Sequence, residues 1–159
     1  MKRLFILFLL IFGAVNFAFG GYVDSVDELI QTHTTPRSVA HWIYTNIQYK
    51  DDPADTDVWQ NPYETFRLKT GDCEDMSILA MKVLEKHGYK CYLLMVWDEE
   101  SVHAVCVVTL NDGFCWVSTE GYVRAFTKNL LKIPEEVMWD YTDYKYVGWD
   151  YIQRRIHRR

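Results

Sequence analysis

The segment Thr70-Gly71-Asp72-Cys73-Glu74-Asp75, opening a run that ends at His87-Gly88, constrains the fold of this chain more than any other feature. Met76, Leu79, Ala80, Val83 and Leu84 recur at steps of three and four, which predicts an amphipathic helix. Asp72 is placed to cap its N-terminus. Glu74 and Asp75 complement the positive end of the helix dipole, Lys86 and His87 the negative end, and Gly88 supplies the stop. Cys73 therefore falls in the first turn. Three β-like segments follow, at residues 89–97, 102–110 and 114–118, the last continuing towards 123, with Asn111-Asp112-Gly113 as a hairpin turn.

The flanks are less specific. Residues 23–46 read as helical, with Thr35-Pro36 as a start signal and Val39, Trp42, Ile43 and Ile47 on one stripe. Residues 51–57 hold four aspartates and Pro53, a polar loop, and Asn61-Pro62 marks another turn or helix start. Calcium is the alternative use for such a loop, but the EF-hand glycine and terminal glutamate are missing, so no metal or other cofactor is expected. Beyond Ile133-Pro134 the aromatic residues Trp139, Tyr141, Tyr144, Tyr146, Trp149 and Tyr151 alternate roughly with polar ones, which predicts another strand or two with an aromatic face.

Lys2 and Arg3 precede an apolar run that Gly13 and Asn16 interrupt, followed by Ala18-Phe19-Gly20. This pattern predicts a signal peptide over residues 1–20, a secreted or periplasmic destination, and no stable membrane insertion once it is cleaved. The remainder, 21–159, reads as a single domain with an aromatic-rich C-terminal extension from about residue 128. It keeps 15 basic residues against 22 acidic ones, a formal charge of −7. An acidic chain whose one basic cluster is the terminal Arg154-Arg155-Ile156-His157-Arg158-Arg159 is not a nucleic-acid binder, and the tail reads as a solvated end. Oligomeric state is not readable from the residues.

The chemistry-bearing residues are few. A thiol in a helix's first turn gains from the dipole and from unpaired N–H groups, yet Asp72, Glu74 and Asp75 oppose ionisation of Cys73, so a histidine partner is needed. His103, in a strand among apolar neighbours, is the candidate. Glu120 is the candidate orienter: if Asp112-Gly113 is a two-residue turn, residue 105 pairs with 120, and Glu120 lies diagonally from His103 on one face. Asp98 and Asp112 are alternatives. Oxyanion donors are the Cys73 backbone N–H and the Trp59 indole, with Gln60 and Tyr63 as rivals. Cys91, Cys106 and Cys115 read as small buried hydrophobes, a bond between two of them remaining open. His41 and His87 have structural explanations.

The order Trp59-Gln60-Asn61-Pro62-Tyr63-Glu64-Thr65, then Gly71-Asp72-Cys73-Glu74-Asp75, then His103, then Trp116-Val117-Ser118-Thr119-Glu120 resembles the transglutaminase-like superfamily of cysteine enzymes, and especially its bacterial cysteine peptidases. The resemblance runs from about Arg37 to Tyr122. It implies an α+β, papain-like core in which the helix that starts at the catalytic cysteine packs on an antiparallel β-sheet, with a Cys73, His103 and Glu120 triad. It also implies thioester chemistry on a peptide or protein substrate, ending in hydrolysis (peptidase or amidase) or in transfer to an amine (transglutaminase). The matching acid in the family is usually aspartate, and this chain has glutamate. The other class of reading is a noncatalytic wall- or protein-binding module that uses the aromatic C-terminal surface.

Overall fold

The computed structural model describes residues 23–54 and 56–157. The expected signal peptide and the last two arginines lie outside them. Among the described residues no helix is long and apolar enough to cross a membrane.

The predicted central helix is α4 (Cys73–Glu85), capped by Asp72 as expected. Its burial is wider than one stripe. Ser77, Ile78 and Met81 are enclosed along with the predicted apolar positions, because α4 packs on the sheet and is flanked by α1 (Val26–Thr32), α2 (Pro36–Asn46), which itself lies against the sheet, and α3 (Pro62–Leu68). The expected helical stretch at 23–46 is thus two helices, and Thr35 starts the second with a capping box to Ser38 and Pro36 in its first turn.

The sheet has five antiparallel strands in the order β6-β5-β4-β3-β7. These are β3 (Cys91–Trp97), β4 (Val102–Leu110), β5 (Gly113–Ser118), β6 (Gly121–Arg124) and β7 (Asp143–Val147). Strand alternation separates two cores. Leu93, Ala104, Cys106, Val108, Cys115 and Val117 face α4, while Leu94, Val96, Val105, Val107 and Trp116 face away. The C-terminal extension covers that second face. Ile133, from α5 (Ile133–Val137), is fully buried there, and Tyr141, Tyr144 and Tyr146 pack beside it.

Two expectations are corrected. The extension forms one strand, β7, and then a helix, α6 (Trp149–Ile156), because the apolar positions Trp149, Ile152 and Ile156 follow helical steps and pack with the α4 side. The hairpin turn is Asn111-Asp112, so Leu110 pairs with Gly113 and Cys106 with Val117, two residues away from the expected register. An even shift keeps every side chain on its face. Continuing that register sets His103 opposite Glu120, which sits in the Thr119-Glu120 turn between β5 and β6, where Ser118 pairs with Gly121.

A small parallel pair steers the chain into α4. β1 (Gln48–Tyr49) lies beside β2 (Thr70–Gly71), with the Gln48 N–H donating to Lys69 O (2.8 Å) and the Lys50 N–H to Gly71 O (3.0 Å). A Cβ on Gly71 would lie 2.7 Å from Asp75 Cβ and 2.9 Å from Asp75 Oδ2. Only a bare α-carbon lets strand and helix start meet this closely. Gly71→Ala is expected to lower stability by about 1–3 kcal/mol in thermal melts, and an unchanged Tm would contradict this close approach.

Candidate active site

Cys73 is 6% exposed in the first turn of α4. Asp72 fixes that turn, its Oδ1 accepting from the Asp75 N–H at 3.4 Å and its carbonyl from the Met76 N–H at 3.2 Å. One turn on, Ser77 Oγ donates to Ala104 O at 3.1 Å, which seats the helix start on β4. The Cys73 sulfur also feels the Ala104 backbone N–H, a contact that favours the thiolate. The β4–β5 ladder ends at Cys106 and Val117, so the start of α4 meets β4, at Ala104, beyond the last paired residue of β5.

The resting thiol is nonetheless held protonated. It donates to Glu74 Oε2 at 3.2 Å. Burial is the main cause pushing its pKa well above the ordinary thiol value, and the Glu74 charge adds to it. His103 precedes Ala104 and is half-buried. Burial lowers its pKa, and the Glu120 carboxylate opposes that by favouring the charged ring. Glu120 itself is exposed, and its N–H donates to Ser118 Oγ at 3.2 Å.

The predicted residues are placed as follows. Cys73 lies near the backbone of Ala104, the residue after His103, while His103 pairs with Val96, on the face of β4 that alternates away from Ala104, and interacts with Glu120. Of the alternative orienters, Asp112 pairs with Arg124 at the far end of the hairpin (2.7 Å), and Asp98 accepts the Glu100 and Ser101 N–H groups in the β3–β4 turn (both 2.8 Å). Among the oxyanion rivals, the Trp59 indole N–H donates to Asp57 Oδ1 at 2.6 Å. Tyr63 faces a groove of about 530 Å³ that it lines with Lys82, Trp149 and Ile156. Gln60 joins the loop to α4, its N–H donating to Asp75 Oδ1 at 2.7 Å, while its Oε1 is buried without a partner. All four cysteines are free, and Cys91, Cys106 and Cys115 are buried as expected.

Sequence reasoning missed two residues. Tyr49, beside Gly71 in the β1–β2 pair, has its hydroxyl against Asp51 and within electrostatic reach of Cys73; its separation of 24 positions from the cysteine leaves no local signal. Arg155, read as part of a solvated tail, pairs with Asp57 and lies over the Trp59 ring at 5.3 Å.

The acidic wall is denser than the loop composition suggested. Asp52, Asp57 and Glu74 bring carboxylate oxygens within 4.8 Å of one another. Hard oxygen donors of this kind suit a divalent cation. Each is already engaged, Asp52 with the Val58 N–H, Asp57 with Arg155 and Trp59, and Glu74 with the Cys73 thiol. Next to them, burial raises Asp75 to about 7, and burial together with Glu74 and Asp75 raises Asp72 to about 8.

The sequence profile of the transglutaminase-like domain matches residues 25–138, and this chain belongs to that family. Its fold is similar to that of Legionella pneumophila LapG (EGTA-treated), at a TM-score of 0.53 and 18% identity over 65% of this chain and 64% of that one. A Cytophaga hutchinsonii protein described as a cysteine protease aligns at a TM-score of 0.47 and 14% identity over 78% of this chain and 47% of that one, too distant to carry weight. An uncharacterised acetyltransferase of Acanthamoeba polyphaga mimivirus is 22% identical over 115 residues, 69% of this chain and 55% of the viral protein. The chain thus spans little more than half of that curated relative and under two thirds of LapG.

Two outcomes follow from this electrostatics. Asp72 and Asp75 have folded pKa values above the ordinary 3.8, so they hold protons in the folded state that the unfolded chain has released. Their stabilisation is complete below that ordinary value and is lost as pH climbs through 7 to 8. Tm should fall between pH 5 and pH 8, and Asp75→Asn, which preserves the acceptor for Gln60, should flatten the fall; an equally steep fall in the variant would contradict this. Glu74→Gln removes one opposing charge from the thiol, so iodoacetamide should label Cys73 roughly tenfold faster at pH 8. A slower or equal rate would show that Glu74 does not restrain it.

Proposed function

We propose that this chain is an exported thiol-dependent acyl-transfer enzyme, most simply a cysteine peptidase or amidase. The observation that carries the reading is the bond from Ser77 to Ala104 O at 3.1 Å, which sets the helix start that bears Cys73 against β4 at the residue after His103. Family membership and the LapG-like fold support it.

In this reading the Cys73 thiol turns from Glu74 to His103, which takes its proton as the sulfur attacks an amide carbonyl. Glu120 orients the imidazole and favours its charged form. The Cys73 N–H, one of the donors that a helix start leaves without an intrahelical partner, faces the oxyanion. Because Asp57 holds the Trp59 indole, the second donor comes from Trp59 only if that contact is released. The tetrahedral intermediate collapses, the C–N bond breaks, and His103 returns the proton to the leaving amine. Water then resolves the thioester through the same base, giving a carboxylate and the free thiol. An amine in place of water would make the enzyme a transferase. No cofactor enters these steps. The substrate is a peptide or protein, and the basic, apolar N-terminal segment supports export to the periplasm or beyond.

The protonated resting thiol is what favours the second reading, a binding module that retains the fold without turnover. Thioester turnover separates the two. With p-nitrophenyl acetate as probe, Cys73→Ser should abolish the burst of nitrophenol. His103→Ala should slow acylation by about 10²-fold or more, and Glu120→Gln should slow it less. A burst that survives Cys73→Ser would overturn the mechanism.

A further inference from the structure

We propose that Arg155 is a positioning residue for the Cys73 site, neutralising Asp57 so that the acidic wall beside the thiol keeps its arrangement. This rests on the thiol-enzyme reading above.

Arg155 lies in α6, beyond residue 138 where the family match ends. α6 is firmly placed: Ile152 is fully buried, the Trp149 indole N–H donates to Glu85 of α4, and Lys145 lies 4.1 Å above the Tyr151 ring. From that base two side chains enclose Trp59. Tyr151 meets it edge-on at 5.9 Å, and the Arg155 guanidinium lies over its ring at 5.3 Å while bonding Asp57 Oδ2. Trp59 is 2% exposed, and its indole N–H bonds the other oxygen of Asp57. Asp57 is therefore gripped on both oxygens.

Asp57 stands one carboxylate away from the sulfur. Asp57 shares the 4.8 Å carboxylate group with Asp52 and Glu74, and Glu74 accepts from the Cys73 thiol. Three carboxylates this close repel one another, and of the three ion pairs among the described residues only Arg155–Asp57 touches them. An exposed ion pair is usually worth little. Here the Asp57 side chain is 56% exposed, but the Arg155 side chain is only 26% exposed and its guanidinium lies over a buried indole, which holds the planar fork in one orientation. Removing the guanidinium leaves Asp57 to push against Glu74 and adds uncompensated negative charge near the sulfur.

The test is a double-mutant cycle on the full chain, with Arg155→Gln, Asp57→Asn and both together. It reads iodoacetamide labelling of Cys73 by mass spectrometry, the p-nitrophenyl acetate burst rate, and Tm. Arg155→Gln is expected to slow both rates roughly fivefold. The double variant should return to within about twofold of wild type, because the charge that needed neutralising is gone. Asp57→Asn alone leaves α6 intact, so it reports on the wall even if Arg155→Gln were to loosen the helix, and it should label no more slowly than wild type. The proposal is overturned if Arg155→Gln matches wild type, or if the double variant is as slow as Arg155→Gln, the pattern of a helix that merely packs. A wild-type chain no faster than Cys73→Ser would instead remove the thiol-enzyme reading, and this proposal with it.

Discussion

The hydrogen bond from Ser77 to the Ala104 carbonyl is the contact on which the rest of the site depends. It joins the second turn of α4 to the early part of β4, and so fixes the helix start relative to the strand that carries His103. Gly71 allows the chain to enter that turn against Asp75, and Asp72 closes the orphan N–H groups. If the helix slid by one turn, Cys73 would move about 5 Å along the strand and lose the Ala104 N–H. Both cores serve this placement. The helices α1 to α3 press α4 onto one face of the sheet, and the C-terminal extension closes the other face.

The electrostatics of the site pull in two directions. The helix dipole and the Ala104 N–H favour a thiolate, and the dipole is worth only about 0.3–1 kcal/mol near a surface. Burial and the Glu74 carboxylate oppose it and win in the resting arrangement, so the thiol stays protonated. His103 is biased in the same direction, since burial favours its neutral ring and Glu120 opposes this only in part. In the proposed mechanism the neutral imidazole is the form able to take up the thiol proton. In that mechanism the thiol must leave Glu74, whose carboxylate lies in one acidic group with Asp57, the partner of Arg155 in the C-terminal helix.

Local signals in the sequence were enough for α4, its cap, the cysteine in the first turn and the three strands that follow, because each depends on period, capping and turn chemistry within a few residues. The expected register rested on the wrong turn, and because the shift is even each strand residue keeps the face expected for it. The assignment of the extension failed in part: alternating aromatics resemble a strand, and only their tertiary burial shows that the last of them lie on a helix. Tyr49 and Arg155 were not legible at all. Their partners stand 24 and 98 positions away, distances at which composition and spacing carry no information about contact.

The central claim is that the sulfur of Cys73 and the ring of His103 share one pocket. Carboxymethylation of Cys73 with iodoacetate would place a new carboxylate on that sulfur, and the His103 titration can be followed by NMR before and after, assigned with a His103→Asn variant. The account predicts that the imidazole pKa rises on modification, since a neighbouring negative charge favours the charged ring. A titration curve unmoved by the modification would contradict it.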